Sequence, residues 1–345
     1  MMKVCKFLSA VLLPILACLL PQASHAKNAP FKVQYYPGVA FTVTFYVAQA
    51  EGMFQKHGLD IETVGMTSGP AALAAMSGGS VDAGMVNPDL LIASRKRGLN
   101  LEAFCAASGS YFELVGAKSF IPKPYPEVMR QIAGKRVGVN ALGASGQFFM
   151  EAMLQGAGLD KDAVTFVPVS SVAGIEAMQN NRIDLFMSFE PVTTILTQKT
   201  GGKVLWSVAT SKGPSSLTDL RVGLIWVAKS NLLDKDPGKY KAFISALKEA
   251  KAFIDDPANA DKVAEDVVKL AGVNTSGMVG GDATLHKVVK NKLMHINSVT
   301  RFGAKDAARW LEYMKQYQGD MVPGLDKPDE AKKFIDQLLW AGGCK

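Results

Sequence analysis

The chain has 345 residues, 48% of them hydrophobic and 20% charged, with a formal net charge of +7. Single cores stop growing near roughly 250 residues, so this length predicts two lobes. The composition excludes intrinsic disorder, collagen and coiled coil, and leaves the positive charge to be located along the chain.

Lys3 and Lys6 precede the apolar run from Phe7 to Leu20, which Pro14 interrupts and Pro21 closes, and the small residues Ser24 and Ala26 follow. This order reads as a secretory leader cleaved after Ala26, because about 14 apolar residues are too few to span a bilayer, which needs roughly 20. Ile15-Leu16-Ala17-Cys18 also fits a lipoprotein box, but the residues after Cys18 stay apolar, unlike a tether. Removing residues 1–26 takes away two lysines and no acid, so +7 becomes +5. That mild excess, with its densest cluster at Arg95-Lys96-Arg97, reads as solvated helix end and not as a nucleic-acid surface. Of four cysteines, Cys105 and Cys344 remain, and in an oxidising compartment they form either a disulfide or two buried thiols.

From Phe31, strand-like and helix-like segments alternate. The strands are 31–36, 60–64 and 82–86, and the helices are 42–57, 70–77 and 88–97. Such β-α-β-α-β-α order predicts a largely parallel sheet with helices on both faces. The pattern then recurs. Ala75-Met76, Val81-Asp82 and Met85 reappear at an offset of 102 as Ala177-Met178, Ile183-Asp184 and Met187. Thr67-Ser68 aligns with Val169-Ser170, Gly58-Leu59-Asp60 with Gly158-Leu159-Asp160, and Asn87-Pro88 with Glu190-Pro191. A period near 100 residues is too long for a solenoid and predicts two lobes built on one unit. After the turn-rich segment 212–216 and the apolar run 221–228, the chain reads helical. One helix opens at Asp236-Pro237 with Phe243, Leu247, Ala250 and Ile254 on one face, and another at Asp256-Pro257 with Val263, Val267 and Leu270. A third has the stripe Ala308, Leu311, Met314 and Tyr317, and the last opens at Asp326 and Pro328.

Ligands of open parallel sheets bind beyond the carboxyl ends of strands, so the six strand-to-helix turns are the candidate site. They supply Gly38, Phe41, Thr42, Ser68, Gly69 and Asn87 from the first unit. The second unit supplies Gly143, Ala144, Ser145, Gly146, Gln147, Ser170, Ser171, Phe189 and Glu190. Their small residues let a ligand approach N–H groups at helix N-termini, where the dipole favours negative charge. Ser145 would bind an oxyanion or cap its helix, and Glu190 would complement a helix dipole or accept a ligand N–H. Because the six loops hold no Arg or Lys, the expected ligand is not multiply charged but a sulfonate, aromatic acid, zwitterion or pyrimidine-like molecule. Glu190 favours a zwitterion or nitrogen-bearing aromatic acid with its acidic end at 143–147 and its donor end at Glu190. Tyr36, Phe41, Phe189 and Trp226 are candidates to stack on a flat ligand. His57 reads as a helix-end dipole partner, and no residue spacing suggests a metal, a cofactor or a catalytic nucleophile.

The segments Val47 to Asp60, Ser80-Val81-Asp82-Ala83-Gly84, Ile183-Asp184 to Glu190-Pro191 and the run from Val227 carry a further signal. Together they resemble the solute-binding proteins of nitrate, sulfonate and taurine ABC importers, a superfamily that includes binders and makers of thiamine pyrimidine precursors. The resemblance implies an α/β type II periplasmic binding protein, two doubly wound lobes with a hinge and C-terminal helices. After the leader at 1–26, it divides the chain into a first lobe from 27–117, a second from 118–221, and a completion of the first from 222–345. The crossings near Glu113 to Lys118 and Leu220 to Ala228 form the hinge. It implies a periplasmic monomer that delivers a small molecule to an inner-membrane ABC permease, with no cofactor and no nucleic acid. The alternative is a secreted enzyme on the same scaffold, a dehydratase or pyrimidine-forming protein, although the cysteine-rich motif of the pyrimidine-making branch is missing.

Overall fold

The computed structural model describes residues 29–296 and 301–344, and the leader expected at 1–26 lies outside them. Ten strands among the described residues form two layers that share one strand order, the first a two-stranded and a three-stranded sheet joined by one bridge and the second a five-stranded sheet. The first contains β1 (Phe31–Tyr35), β2 (Ile61–Gly65), β3 (Gly84–Val86), β4 (Leu101–Gly109) and β10 (Val222–Lys229). β1 pairs with β2 in parallel and reaches β3's neighbourhood through the parallel bridge Val33↔Ala83, and β10 lies antiparallel between β3 and β4. The second contains β5 (Glu113–Gly116), β6 (Arg136–Val139), β7 (Thr165–Pro168), β8 (Leu185–Ser188) and β9 (Lys203–Ser207), in the order β7-β6-β8-β5-β9. Each sheet therefore runs second, first, third, crossing strand, fourth, and the crossing strand is the one received from across the molecule. β5 sits in the second sheet although the division at 117 assigned it to the first. The chain consequently passes between sheets at 110–112 and again between β9 and β10.

The repeat read in sequence has matching contacts. The Lys32 N–H donates to Asp82 Oδ2 and the Arg136 N–H to Asp184 Oδ2, both at 2.8 Å, so each unit's aspartate ties its third strand to its first. Gly58 and Gly158 take φ of +77° and +76°, and after each a leucine N–H returns to the preceding helix, Leu59 to Phe54 O and Leu159 to Leu154 O, at 2.9 Å. Only glycine adopts this left-handed turn at little cost.

Helices α1 (Val43–Ala50) and α2 (Met53–Lys56) replace the single helix expected over 42–57, because Gly52 at φ +65° breaks the run. α3 (Gly69–Gly78) and α4 (Pro88–Lys96) complete the first unit, and α5 (Ser145–Gly156), α6 (Ser171–Gln179) and α7 (Val192–Thr200) the second. The remaining helices are α8 (Ser215–Thr218), α9 (Ser230–Lys235), α10 (Pro237–Asp255), α11 (Ala260–Leu270), α12 (Gly281–Val288), α13 (Met294–Ile296), α14 (Ala304–Tyr317) and α15 (Pro328–Leu338). A π-helical turn, Val289–Leu293, joins α12 to α13.

Asp236 caps α10 by accepting from the Lys239 N–H, and the predicted stripe of Phe243, Leu247, Ala250 and Ile254 is buried. Trp226, expected as a stacking platform, lies instead in the core of β10 against Phe45 and Phe243. In α14 the buried residues are Ala307, Trp310, Leu311, Tyr313 and Met314, so the predicted Leu311 and Met314 are joined by Trp310, which donates to the Val222 carbonyl, in place of Ala308 and Tyr317. The C-terminal tail docks along β4, where the Trp340 and Cys344 N–H groups donate to Ala103 and Phe104 carbonyls and a disulfide joins Cys105 to Cys344. No helix among the described residues is long and apolar enough to cross a membrane.

Candidate functional site

The strand-to-helix turns of both sheets converge on a cavity of about 230 Å³. Its apolar wall is aromatic. Phe41 stacks on Tyr111 with ring centroids 4.3 Å apart, and Phe189 meets both rings edge-on at 5.2 and 5.9 Å. Such edge-on and stacked pairs hold one another rigidly, so a flat ligand meets a preformed surface. Tyr36 donates to the Met85 carbonyl at 2.6 Å, and Tyr111 to Asn87 Oδ1, whose own amide donates to the Gly223 carbonyl. Burial pushes both phenols well above their ordinary pKa, so they remain neutral.

The polar wall is built from helix starts. Ser68 begins α3 and accepts from the Ala71 N–H, and its repeat partner Ser170 begins α6 and accepts from the Ala173 N–H. Both hydroxyl protons are thereby left to donate elsewhere. Ser171 Oγ accepts from the Asn140 amide at 3.2 Å and also keeps its proton. Ala144 precedes α5 without any side-chain cap. The lining includes Ser145 and Gly146 in that first turn, where N–H groups have no partner within the helix. Three helix N-termini thus aim partial positive charge at one small space, and no lining side chain carries a formal charge.

Of the residues singled out in the sequence, the cavity brings together Gly38, Phe41, Ser68, Gly69, Asn87, Ala144, Ser145, Gly146, Ser170, Ser171 and Phe189. Four lie outside its lining. Thr42 is buried beneath it at the start of α1, and Gly143 faces a separate groove beside Leu142 and Phe148. Gln147 accepts from the Gly143 N–H and donates to Glu151. Glu190 does not present a free acceptor to a ligand donor. It is 6% exposed, ion-paired with Lys292 from the π-turn and bonded by both the N–H and hydroxyl of Thr194.

Tyr111 and Phe112 were missed because they sit on the link between sheets and not in a strand-to-helix turn. Asp89 was missed as a helix-start acid, although it is fully buried and bonded by Ser145. His57 closes α2 and meets Glu249 at 3.0 Å, far in sequence and role from the cavity.

Two sheets of identical strand order, facing one cavity with the helix starts of both, define the type II periplasmic binding protein fold. A model of the NMT1/THI5-like family matches residues 41–260, and the chain belongs to that family. A provisionally named binding protein of Brucella abortus (strain 2308) is 24% identical over 274 residues, covering 79% of this chain and 82% of its own. Among solved structures, the alkanesulfonate-binding protein SsuA of Xanthomonas axonopodis pv. citri, bound to MOPS, superposes with a TM-score of 0.69 at 15% identity. That match covers 90% of this chain and 98% of the other. The periplasmic nitrate-binding protein NrtA of Synechocystis PCC 6803 gives 0.70 at 12% identity over 90% and 86%.

Proposed function

We propose that the chain is the extracytoplasmic solute-binding component of an ABC importer, capturing a small organic molecule between its lobes and acting by binding, not turnover. The observation that carries this is the cavity itself. It is ligand-sized, shared between two sheets, aromatic on one side and edged by three helix N-termini on the other. An uncharged lining disfavours a multiply charged solute, which would be desolvated without a partner ion. It suits a molecule with a flat or apolar body and one polar end, such as an aromatic acid, a sulfonate or a pyrimidine. The family membership and the fold of the sulfonate- and nitrate-binding neighbours support the transport role, and with it a periplasmic location and a permease partner.

The moving bodies are the two sheet-centred lobes, turning on the passages at 110–112 and between β9 and β10. A thermal-shift screen of aromatic acids, sulfonates and pyrimidines tests the site. Hits should raise the melting temperature of the wild type, and Ser171→Trp, which fills the cavity from its rim, should abolish the shift. Hits that shift both proteins equally would place binding elsewhere.

A further inference from the structure

Asp89 opens α4 on the first-sheet side of the cavity and is 0% exposed. Its Oδ1 accepts from the Leu90 N–H and from the Ser145 hydroxyl, both at 2.7 Å, and Ser145 belongs to α5 of the second sheet. A single hydrogen bond therefore spans the two lobes at the edge of the cavity, and Ser145 itself lines that cavity. Oδ2 of Asp89 is buried with no hydrogen-bond partner among the described residues. Among the described residues no cation acts on it. The titratable groups that face it are Tyr111, from the link between sheets, and Tyr313, from α14, whose hydroxyl also lacks a partner. α3, β4, β10 and α15 also pack on α4, and no charged side chain of theirs acts on Asp89.

A serine hydroxyl has one proton. While the Asp89 carboxylate holds it, Ser145 offers the cavity lone pairs alone, in contrast to Ser68, Ser170 and Ser171, whose protons are free to donate. If Asp89 is protonated, its own O–H can donate to Ser145 Oγ, and the serine proton turns toward the cavity. We propose that Asp89 is a positioning residue that sets the polarity of Ser145, so that the cleft closes on an anionic ligand end by taking up one proton at Asp89. Ionised, it keeps the α5 end of the cavity suited to a donor; protonated, it removes a buried negative charge and adds a hydroxyl donor beside the helix N-terminus. Burial acts in the same direction, raising the carboxyl to about 6 against the pull of the Ser145 bond. This rests on the binding reading above, but its first test needs no ligand.

That test is the melting temperature of the full chain and of Asp89→Asn between pH 4.5 and 8. A carboxyl whose folded pKa is raised contributes stability that is complete below the unfolded pKa and lost as pH rises through the folded one. Asp89→Asn should therefore gain on the wild type as pH rises, by about 3–4 °C at pH 8, with the gap reduced to about a third of that at pH 4.5. Parallel curves would overturn the proposal. The second arm uses benzenesulfonate, an anion throughout this range. Its affinity for the wild type should rise about tenfold from pH 7 to pH 5 and lose that slope in both Asp89→Asn and Ser145→Ala. A slope that persists in either variant would also overturn the proposal. Failure of benzenesulfonate to bind at any pH would count against the ligand class proposed above, and the melting curves alone would then decide the role of Asp89.

Discussion

Lys292 sets the electrostatics of the wall behind Phe189. It reaches from the π-turn to Glu190, and Glu113 at the start of β5 lies close enough to feel both charges. Burial first, and then the Glu190 charge, raise Glu113 above the ordinary carboxylate range, while Lys292 opposes the shift. Replacing Lys292 with Met leaves two acids facing each other without their cation. The lysine is half exposed, so the loss should be about 1–2 kcal/mol and not the full cost of a buried pair. A raised carboxyl contributes stability at low pH and loses it as pH rises, so the deficit should be larger at pH 8 than at pH 5. Urea unfolding of Lys292→Met at the two pH values checks this, and an equal deficit would show that Glu113 is not coupled to the pair. The charge arrangement was not legible in the sequence, because 102 residues separate Lys292 from Glu190 and nothing local links a helical lysine to a turn acid.

At the scale of elements, the paired units make a quantitative expectation. A Cβ added at Gly58 or at Gly158 would meet nothing within 4 Å, so Gly→Ala at either should cost only the backbone penalty of the left-handed turn. That is about 1 kcal/mol each, with the two losses equal within experimental error. Denaturant titration of Gly58→Ala and Gly158→Ala measures it, and a cost several-fold larger at one would mean that the two turns are not equivalent. These turns, the aspartates Asp82 and Asp184 and the paired Ser68 and Ser170 were readable as matched positions because each is local and repeats in order, although the sequence points to capping at Ser145, which lies inside α5 after Ala144. α1 and α2 were not separable, since Gly52 in a helical run is tolerated as often as it breaks one. The crossing strands were also hidden. β5 and β10 take their places in the sheets from long-range pairing, and their apolar runs do not say which sheet receives them. For the same reason the sequence found the turn residues of the cavity and missed Tyr111, which the crossing carries into it.

For the molecule as a whole, the Cys105–Cys344 bond closes a loop of 239 residues and holds the C-terminal tail along β4. Cross-linking so long a segment limits the unfolded chain by roughly 5 kcal/mol in the chain-entropy account, with measured losses of about 2–5 kcal/mol for native bonds. Reduction, or Cys344→Ala, should lower stability within that range and release the protection of the Trp340 amide, which donates to the Ala103 carbonyl, in hydrogen exchange. An unchanged melting temperature under reductant would mean that α15 and the tail dock without it. The cavity lies away from this bond, so ligand binding should survive reduction at temperatures where the fold does.

Closure of the two lobes on a small molecule in the shared cavity would compact the protein, which small-angle X-ray scattering of the wild type, with and without a compound that raises its melting temperature, measures. A decrease in radius of gyration and maximum dimension on saturation is the predicted result. A scattering profile that stays superimposable while the same compound is bound at saturation would contradict it.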